Sequence, residues 1–283
     1  MSEVKIFLSG CMGRMGRVIT DMVAEYDDAV IVAGSDVVEN PNSPFPIYSD
    51  PMECKEEFDV IIDFSHVSAF AKITELAETK KKPIVMCTTG LSEEQKAALT
   101  ALSEKVGVFY SGNMSLGINV LINLVKKAAA QLYPDFDIEL VEEHHNKKLD
   151  APSGTALMIA DAMNDTLDGQ LEYVYERQSK RQKREKKELG IHSIRGGNIV
   201  GEHKVMFIGG EEILTISHSA QTRSVFARGA VAAAKFMIFA DFFLVQVTAD
   251  DYHLDHAVAD FFVPVFFHFW FFGEDSLLFC RRA

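Results

Sequence analysis

The residues that carry the most chemistry for their length lie between Glu142 and Ala156, in the stretch Glu142-Glu143-His144-His145-Asn146-Lys147-Lys148-Leu149-Asp150-Ala151-Pro152-Ser153-Gly154-Thr155-Ala156. His144 and His145 carry imidazoles that titrate near neutrality and can move protons. Lys148, four residues beyond His144, can answer an anion or donate a proton. Ser153, Gly154 and Thr155 add two hydroxyls and a glycine that lets backbone N–H groups come close to a ligand. The apolar run Ala156 to Ala162 predicts a helix, and a helix N-terminus favours an anion such as a carboxylate. Proton donor, cation and anion cradle together point to a small acidic substrate. The bland reading of the same stretch is a surface strand with a capped helix behind it, because Ser-Gly-Thr is often only a cap.

A second constellation sits near the start of the chain. Val4 to Ser9 is an apolar run of strand length, and it ends at Gly10-Cys11-Met12-Gly13-Arg14-Met15-Gly16. A helical pattern (Val18, Ile19, Met22, Val23) follows. Strand, glycine turn and helix form the context of a dinucleotide fingerprint, in which the pyrophosphate approaches the helix N-terminus. The spacing is GxxGxxG, so an ordinary strand-to-helix turn is the competing reading. Gly10, Met12, Gly13, Arg14, Met15 and Gly16 are the candidate cofactor contacts. Ala29 to Ser35 predicts a second strand that ends at Asp36, where an acid accepts hydrogen bonds from ribose hydroxyls and repels a 2′-phosphate. The residues lean towards NADH, while Arg14 leaves room for NADPH.

These groups need elements to position them. Phe58 to Phe64, Pro83 to Cys87 and Val106 to Tyr110 read as three more strands. Helices are predicted around Phe70 to Glu78 and Ser92 to Lys105, with Ser92, Glu94 and Gln95 as a capping region. The alternation predicts an α/β fold, a Rossmann-like doubly wound parallel sheet. Its ligand belongs at the strand carboxyl ends, at Phe64, at Thr88-Thr89-Gly90 and at Asn113-Met114. His66, with no acid or nucleophile beside it in sequence, reads as a loop residue.

Gly117 to Leu132 predicts an amphipathic helix leading into a second α+β substrate domain. Its strands are Asp137 to Glu142, Ile191 to Ile194, Lys204 to Ile208 and Glu212 to Ser217, in a mixed or antiparallel sheet. If His144 and His145 continue the first strand, they point to opposite faces and have different jobs. The basic run within Leu171 to Glu188 reads as a solvated, mobile loop.

The totals exclude several classes. The 283-residue chain is 48% hydrophobic and 24% charged, and its formal net charge of −13 argues against general nucleic-acid binding. Cys11, Cys54, Cys87 and Cys280 are scattered without a CxxC pair, which suits neither a zinc site nor a disulfide framework. No metal site is expected. With no signal-peptide pattern, a cytoplasmic location without membrane association is the expectation.

The motifs GCMGRMG (10–16), IDFS (62–65), CTTG (87–90), SGNMSLGIN (111–119), EEHHNKKLDAPSGTA (142–156), IRGGNIVGEH (194–203) and the spaced His218, Arg223, Phe226 and Ala227 stand in this order. Together the chain resembles the 4-hydroxy-tetrahydrodipicolinate (dihydrodipicolinate) reductases of bacterial lysine and diaminopimelate synthesis. The resemblance implies reduction of a cyclic imine dicarboxylate by NADH or NADPH, with hydride to ring C4. It implies His144 as proton donor, Lys148 as charge stabiliser, His145 as a substrate contact, and Ser153, Gly154 and Thr155 around a ring carboxylate. It places Thr89 and Asn113 near the cofactor or substrate, and implies a homotetramer assembled through the second domain's sheet. Other readings of the pattern are a different two-domain NAD(P) amino-acid or sugar dehydrogenase, and a dinucleotide-sensing protein without catalysis. The expected division is a dinucleotide-binding domain over 1–115, a substrate and oligomerisation domain over 116–222, a return helix over 223–238 and an atypical tail over 239–283. That tail is rich in Phe, and its Ala257 to Phe272 run falls short of the ~20 residues of a membrane span.

Overall fold

The computed structural model describes residues 3–38, 40–239 and 277–279, so nearly all of the expected tail lies outside the described residues, its run at 257–272 included. The described chain forms two compact units, residues 3–115 with 223–239 and 277–279, and residues 116–222.

In the first unit β1 (Val4–Ser9), β2 (Ala29–Ser35), β3 (Ile47–Tyr48), β4 (Val60–Asp63), β5 (Ile84–Met86) and β6 (Val108–Tyr110) pair in parallel. Their order is β6-β5-β4-β1-β2-β3, with a short strand at Leu277–Phe279 antiparallel to β6 at the edge. Ile6, Phe7 and Leu8 are all fully buried, because helices cover both faces of the sheet. On one face Phe7, Ile61 and Ile84 pack with Phe70, Ile73 and Leu76 of α2 (Phe70–Lys80) and with Leu99 and Leu102 of α3 (Glu93–Ser103). The other face receives α6 (Ser224–Phe239), which packs on β1, β4, β5 and on α1 (Arg14–Val23). Ser92 opens α3 where a capping region was predicted, in a capping box that Gln95 completes.

The second unit is a five-stranded mixed sheet ordered β11-β10-β7-β9-β8. β7 (Asp137–His144) runs parallel to β9 (Glu188–Arg195) and antiparallel to β10 (Gly201–Ile208). β11 (Ile213–Ala220) is antiparallel to β10, and β8 (Glu172–Val174) is parallel to β9. Alternate β7 residues, Ile138, Leu140, Glu142 and His144, are buried. The two apolar ones meet α4 (Leu116–Leu132) and α5 (Gly154–Thr166). Leu121, Ile122 and Val125 of α4 are at most 2% exposed, and each contributes roughly 1.5–3 kcal/mol by leaving water.

Two local expectations change. The stretch 171–188 opens with β8 and continues as largely exposed loop, in which several cations are nonetheless paired: Arg184 with Asp137 and Glu139 at 3.0 Å, Lys187 with Glu172 at 2.7 Å, and Arg177 with Glu188. Two of these acids, Asp137 and Glu139, sit on β7, out of sight of a local charge count. Likewise β7 extends to His144, so the strand that was expected to end at Glu142 carries one histidine and the following loop carries the other. No helix among the described residues is long and apolar enough to cross a membrane.

Candidate functional site

In the first unit the strand order reverses between β1 and β4, which places a crevice at their carboxyl ends. Gly10 leaves β1 with φ +75°, and a Cβ there would stand 2.6 Å from the Phe64 carbonyl oxygen. A Cβ on Gly16 would stand 2.3 Å from the Gly10 carbonyl oxygen, so the turn closes on backbone alone. Gly13 caps α1 without any side chain, and Arg14 is exposed. Asp36 steadies this turn: its Oδ2 accepts from the Met12 N–H at 2.8 Å and its Oδ1 from the Val38 N–H at 3.1 Å. A cavity of about 560 Å³ lies beside it, lined by Met12, Arg17, Asn40 and Phe45 among others.

The neighbouring loops are fixed by a residue the sequence reading assigned no role, the fully buried Asp63. Its Oδ2 accepts from the Thr88 hydroxyl at 2.6 Å and its Oδ1 from the Ser65 N–H at 3.3 Å. Thr88 is therefore buried, while Thr89 and Gly90 are exposed. Asn113, 8% exposed, holds its own loop by accepting from the Ser115 N–H at 2.8 Å, and Met114 is in the core. Met15 is half-buried on the first turn of α1. His66 caps a short turn, its Nδ1 accepting from the Ser68 N–H at 3.2 Å, as a loop residue does. Burial pushes the Cys11 thiol up to about 12 and the Cys54 thiol to about 11, so neither is a ready nucleophile.

In the second unit the histidine stretch becomes a connected polar cluster. Glu142 and His144, two apart on β7, leave the same face. His144 Nδ1 lies 2.5 Å from Glu142 Oε2, and Arg195 at the end of β9 donates to both Glu142 oxygens, at 2.8 and 2.6 Å. Arg195 also donates to the Asp150 carbonyl at 2.7 Å, and the Asp150 carboxylate pairs with Lys148 at 2.9 Å. Burial raises the Glu142 carboxyl, but hydrogen bonds from His144 and Arg195 outweigh it and hold the group well below the usual carboxylate range.

Ser153 caps α5: its Oγ accepts from the Ala156 N–H at 3.1 Å and lies 3.2 Å from His203 Nε2. Its own N–H donates to Glu142 at 3.2 Å. Ser153 is thus buried and engaged, whereas Gly154 is exposed, a Cβ on it meeting nothing within 4 Å, and Thr155 is half-buried. Burial, helped by His144, pushes the His203 imidazole down to about 3, so it stays neutral. His145 lies just beyond the strand, half-buried, its carbonyl accepting from the Lys148 N–H at 3.1 Å. The structure joins His144, Lys148 and Ser153 through Glu142, Arg195 and Asp150. Glu142, to which the sequence assigns no role by itself, carries only one local signal, its even spacing to His144. Arg195 and His203 depend on register between strands far apart in sequence.

Two family patterns cover most of the chain. One described as "Dihydrodipicolinate reductase, N-terminus" matches residues 4–114, and one described as "Dihydrodipicolinate reductase, C-terminus" matches residues 117–250, past the helix where the motif likeness ends. A 4-hydroxy-tetrahydrodipicolinate reductase of Caldanaerobacter subterraneus subsp. tengcongensis is 52% identical over 235 residues, 83% of this chain and 93% of that protein. Its counterpart in Clostridium tetani is 46% identical over 234 residues, 83% of this chain and 91% of the relative. Among solved structures, a dipicolinate-bound dihydrodipicolinate reductase from Paenisporosarcina sp. TG-14 superposes with a TM-score of 0.67 at 25% identity, covering 84% of this chain and 95% of that one.

Proposed function

Because the chain belongs to the dihydrodipicolinate reductase family and is an oxidoreductase, we propose that it reduces 4-hydroxy-tetrahydrodipicolinate to tetrahydrodipicolinate, with loss of water, in lysine and diaminopimelate synthesis. The observation that carries the reading is the polar cluster joining His144, Lys148 and the start of α5. It brings a proton carrier, a cation and an anion-favouring helix end together at the carboxyl ends of β7 and β9.

The glycine turn fits a dinucleotide, since Gly10 and Gly16 let it close tightly on its own backbone and α1 begins without a side-chain cap. Gly10, Met12, Gly13, Arg14, Met15 and Gly16 would line its pyrophosphate. Asp36 would meet the adenosine ribose, which favours NADH over NADPH. Phe64, Thr88, Thr89, Gly90, Asn113 and Met114 would border the rest. When bound, the reduced nicotinamide supplies the hydride that reaches ring C4. His144 delivers a proton to the neighbouring carbon, and Lys148 offsets the charge that develops there. Gly154 and Thr155, with Ser153 setting the helix start, hold a ring carboxylate, and His145 contacts the substrate. The dipicolinate bound by the Paenisporosarcina relative is a dicarboxylate of this class and supports the substrate reading. A cytoplasmic homotetramer built through the second unit's sheet completes the proposal, supported by exposed Ile194, Ile213 and Leu214 on that sheet.

The test is oxidation of NADH and of NADPH in the presence of pyruvate and aspartate semialdehyde, condensed in the same reaction by the preceding synthase. Turnover that depends on both precursors and is faster with NADH is the expected result. Cofactor binding without turnover would overturn the substrate assignment.

A further inference from the structure

Glu142 is the most completely buried charged group of the second unit, yet the reaction above gives it nothing to do. A buried carboxylate is costly unless its lone pairs are filled. Here His144 Nδ1 lies 2.5 Å from one oxygen, the Arg195 fork reaches both, and the Ser153 N–H meets the second. Strand register builds this arrangement, because Arg195 lies opposite His144 in the parallel pairing of β7 and β9.

We propose that Glu142, clamped by Arg195, is the positioning residue of His144: it accepts a hydrogen bond from Nδ1–H and thereby makes Nε2 the nitrogen that exchanges a proton with substrate. The argument rests on the reading of His144 as proton donor. An ionised carboxylate only accepts hydrogen bonds, so the facing ring nitrogen must be the one that carries hydrogen. Arg195 cannot deprotonate and keeps Glu142 in that state. The opposite ring nitrogen faces Gly201, where a Cβ would stand 3.1 Å from Nε2, so the strand leaves that atom without a side chain over it. His203, whose ring meets His144 edge-on at 5.3 Å, is neutral and does not compete as a cation. His144 is thus fixed at one nitrogen and left to react at the other. This division is the same one that lets a buried acid orient a catalytic imidazole elsewhere.

Two measurements test it. Nitrogen-15 spectra of histidine-labelled protein, with His144 assigned by its loss in His144→Gln, should show Nδ1 protonated and Nε2 bare where the ring is neutral. The reverse tautomer, or an even mixture, would overturn the proposal without any variant of Glu142 having to fold. Glu142→Gln should then lose the fixed tautomer and lower kcat by roughly 10²-fold, the lower end of what a positioned acid contributes, with KM near that of the parent. A variant whose kcat equals the parent's would sink the catalytic role. A parent chain inactive on the proposed substrate would refute the functional reading alone, because the spectrum decides the tautomer by itself.

Discussion

The two units hold their candidate site residues by different physics. In the first, the turn between β1 and α1 is shaped by backbone: Gly10 and Gly16 leave no space for a side-chain atom, and Asp36 and Asp63 bind N–H and hydroxyl groups that set the loops. In the second, the corresponding ends of β7 and β9 carry ionised side chains that hold one another, Glu142 between His144 and Arg195, and Asp150 against Lys148. A backbone cradle is insensitive to pH and intolerant of volume. A charge cluster tolerates volume where it is open, as at Gly154, and responds to protons.

That contrast can be broken at four points. The largest effect belongs to the charge cluster: His144→Ala should lower kcat by roughly 10²–10⁴-fold and move KM far less, because proton transfer acts in the transition state. A near-normal kcat in steady-state assays would remove His144 from the role. Next comes pH. His203 sits at about 3 instead of its ordinary 6.5, so below pH 6.5 the unfolded chain binds a proton that the folded chain refuses. Stability is therefore full above pH 6.5 and falls towards pH 3, with a slope approaching ~1.4 kcal/mol per pH unit. His218, also depressed by burial, adds to the same window, whereas Glu142 and Asp150, both lowered, act only as the pH falls below their ordinary carboxylate range. Urea unfolding of His203→Gln should show a flatter slope between pH 6 and 5, and an unchanged slope would exclude His203 as its source.

The third point tests the cradle. Gly16→Ala puts a methyl against backbone that cannot turn aside, and should cost about 1–3 kcal/mol in thermal or urea unfolding and weaken cofactor binding at any pH. Tight cofactor binding by this variant would show that the turn is not set by shape. The smallest effect is expected at Asp36→Ala, which should weaken NADH more than NADPH in fluorescence titrations, by about tenfold, the low end for one lost hydrogen bond to a charged group. Equal weakening of the two would mean that Asp36 serves only to hold Met12.

The same contrast explains what the sequence could disclose. The bounds of β1 and β2 follow from unbroken apolar runs closed by glycine and Asp36, and the structure keeps both as read. Interior β4 is shorter than the run read for it, Phe58 to Phe64, whose first residue is buried without belonging to the strand. The two-residue β3 has no pattern to detect. His144, Lys148 and Ser153 were legible because they are close in sequence. Their connectors were not: the Glu142–Arg195 pair spans 53 positions and the Ser153–His203 pair 50. Only the register of β7 with β9 and β10 brings those residues together.

The first unit is interrupted in sequence, and α6 closes one face of its sheet only after residues 116–222 have been made. At ~5–20 residues per second on the ribosome, that interval is on the order of 5–20 s. Through it, the α6 side of β1, β4 and β5, with Leu8, Ile62 and Val85, lacks its cover. That apolar face of the nascent chain therefore stays without its helix midway through synthesis, until α6 is made.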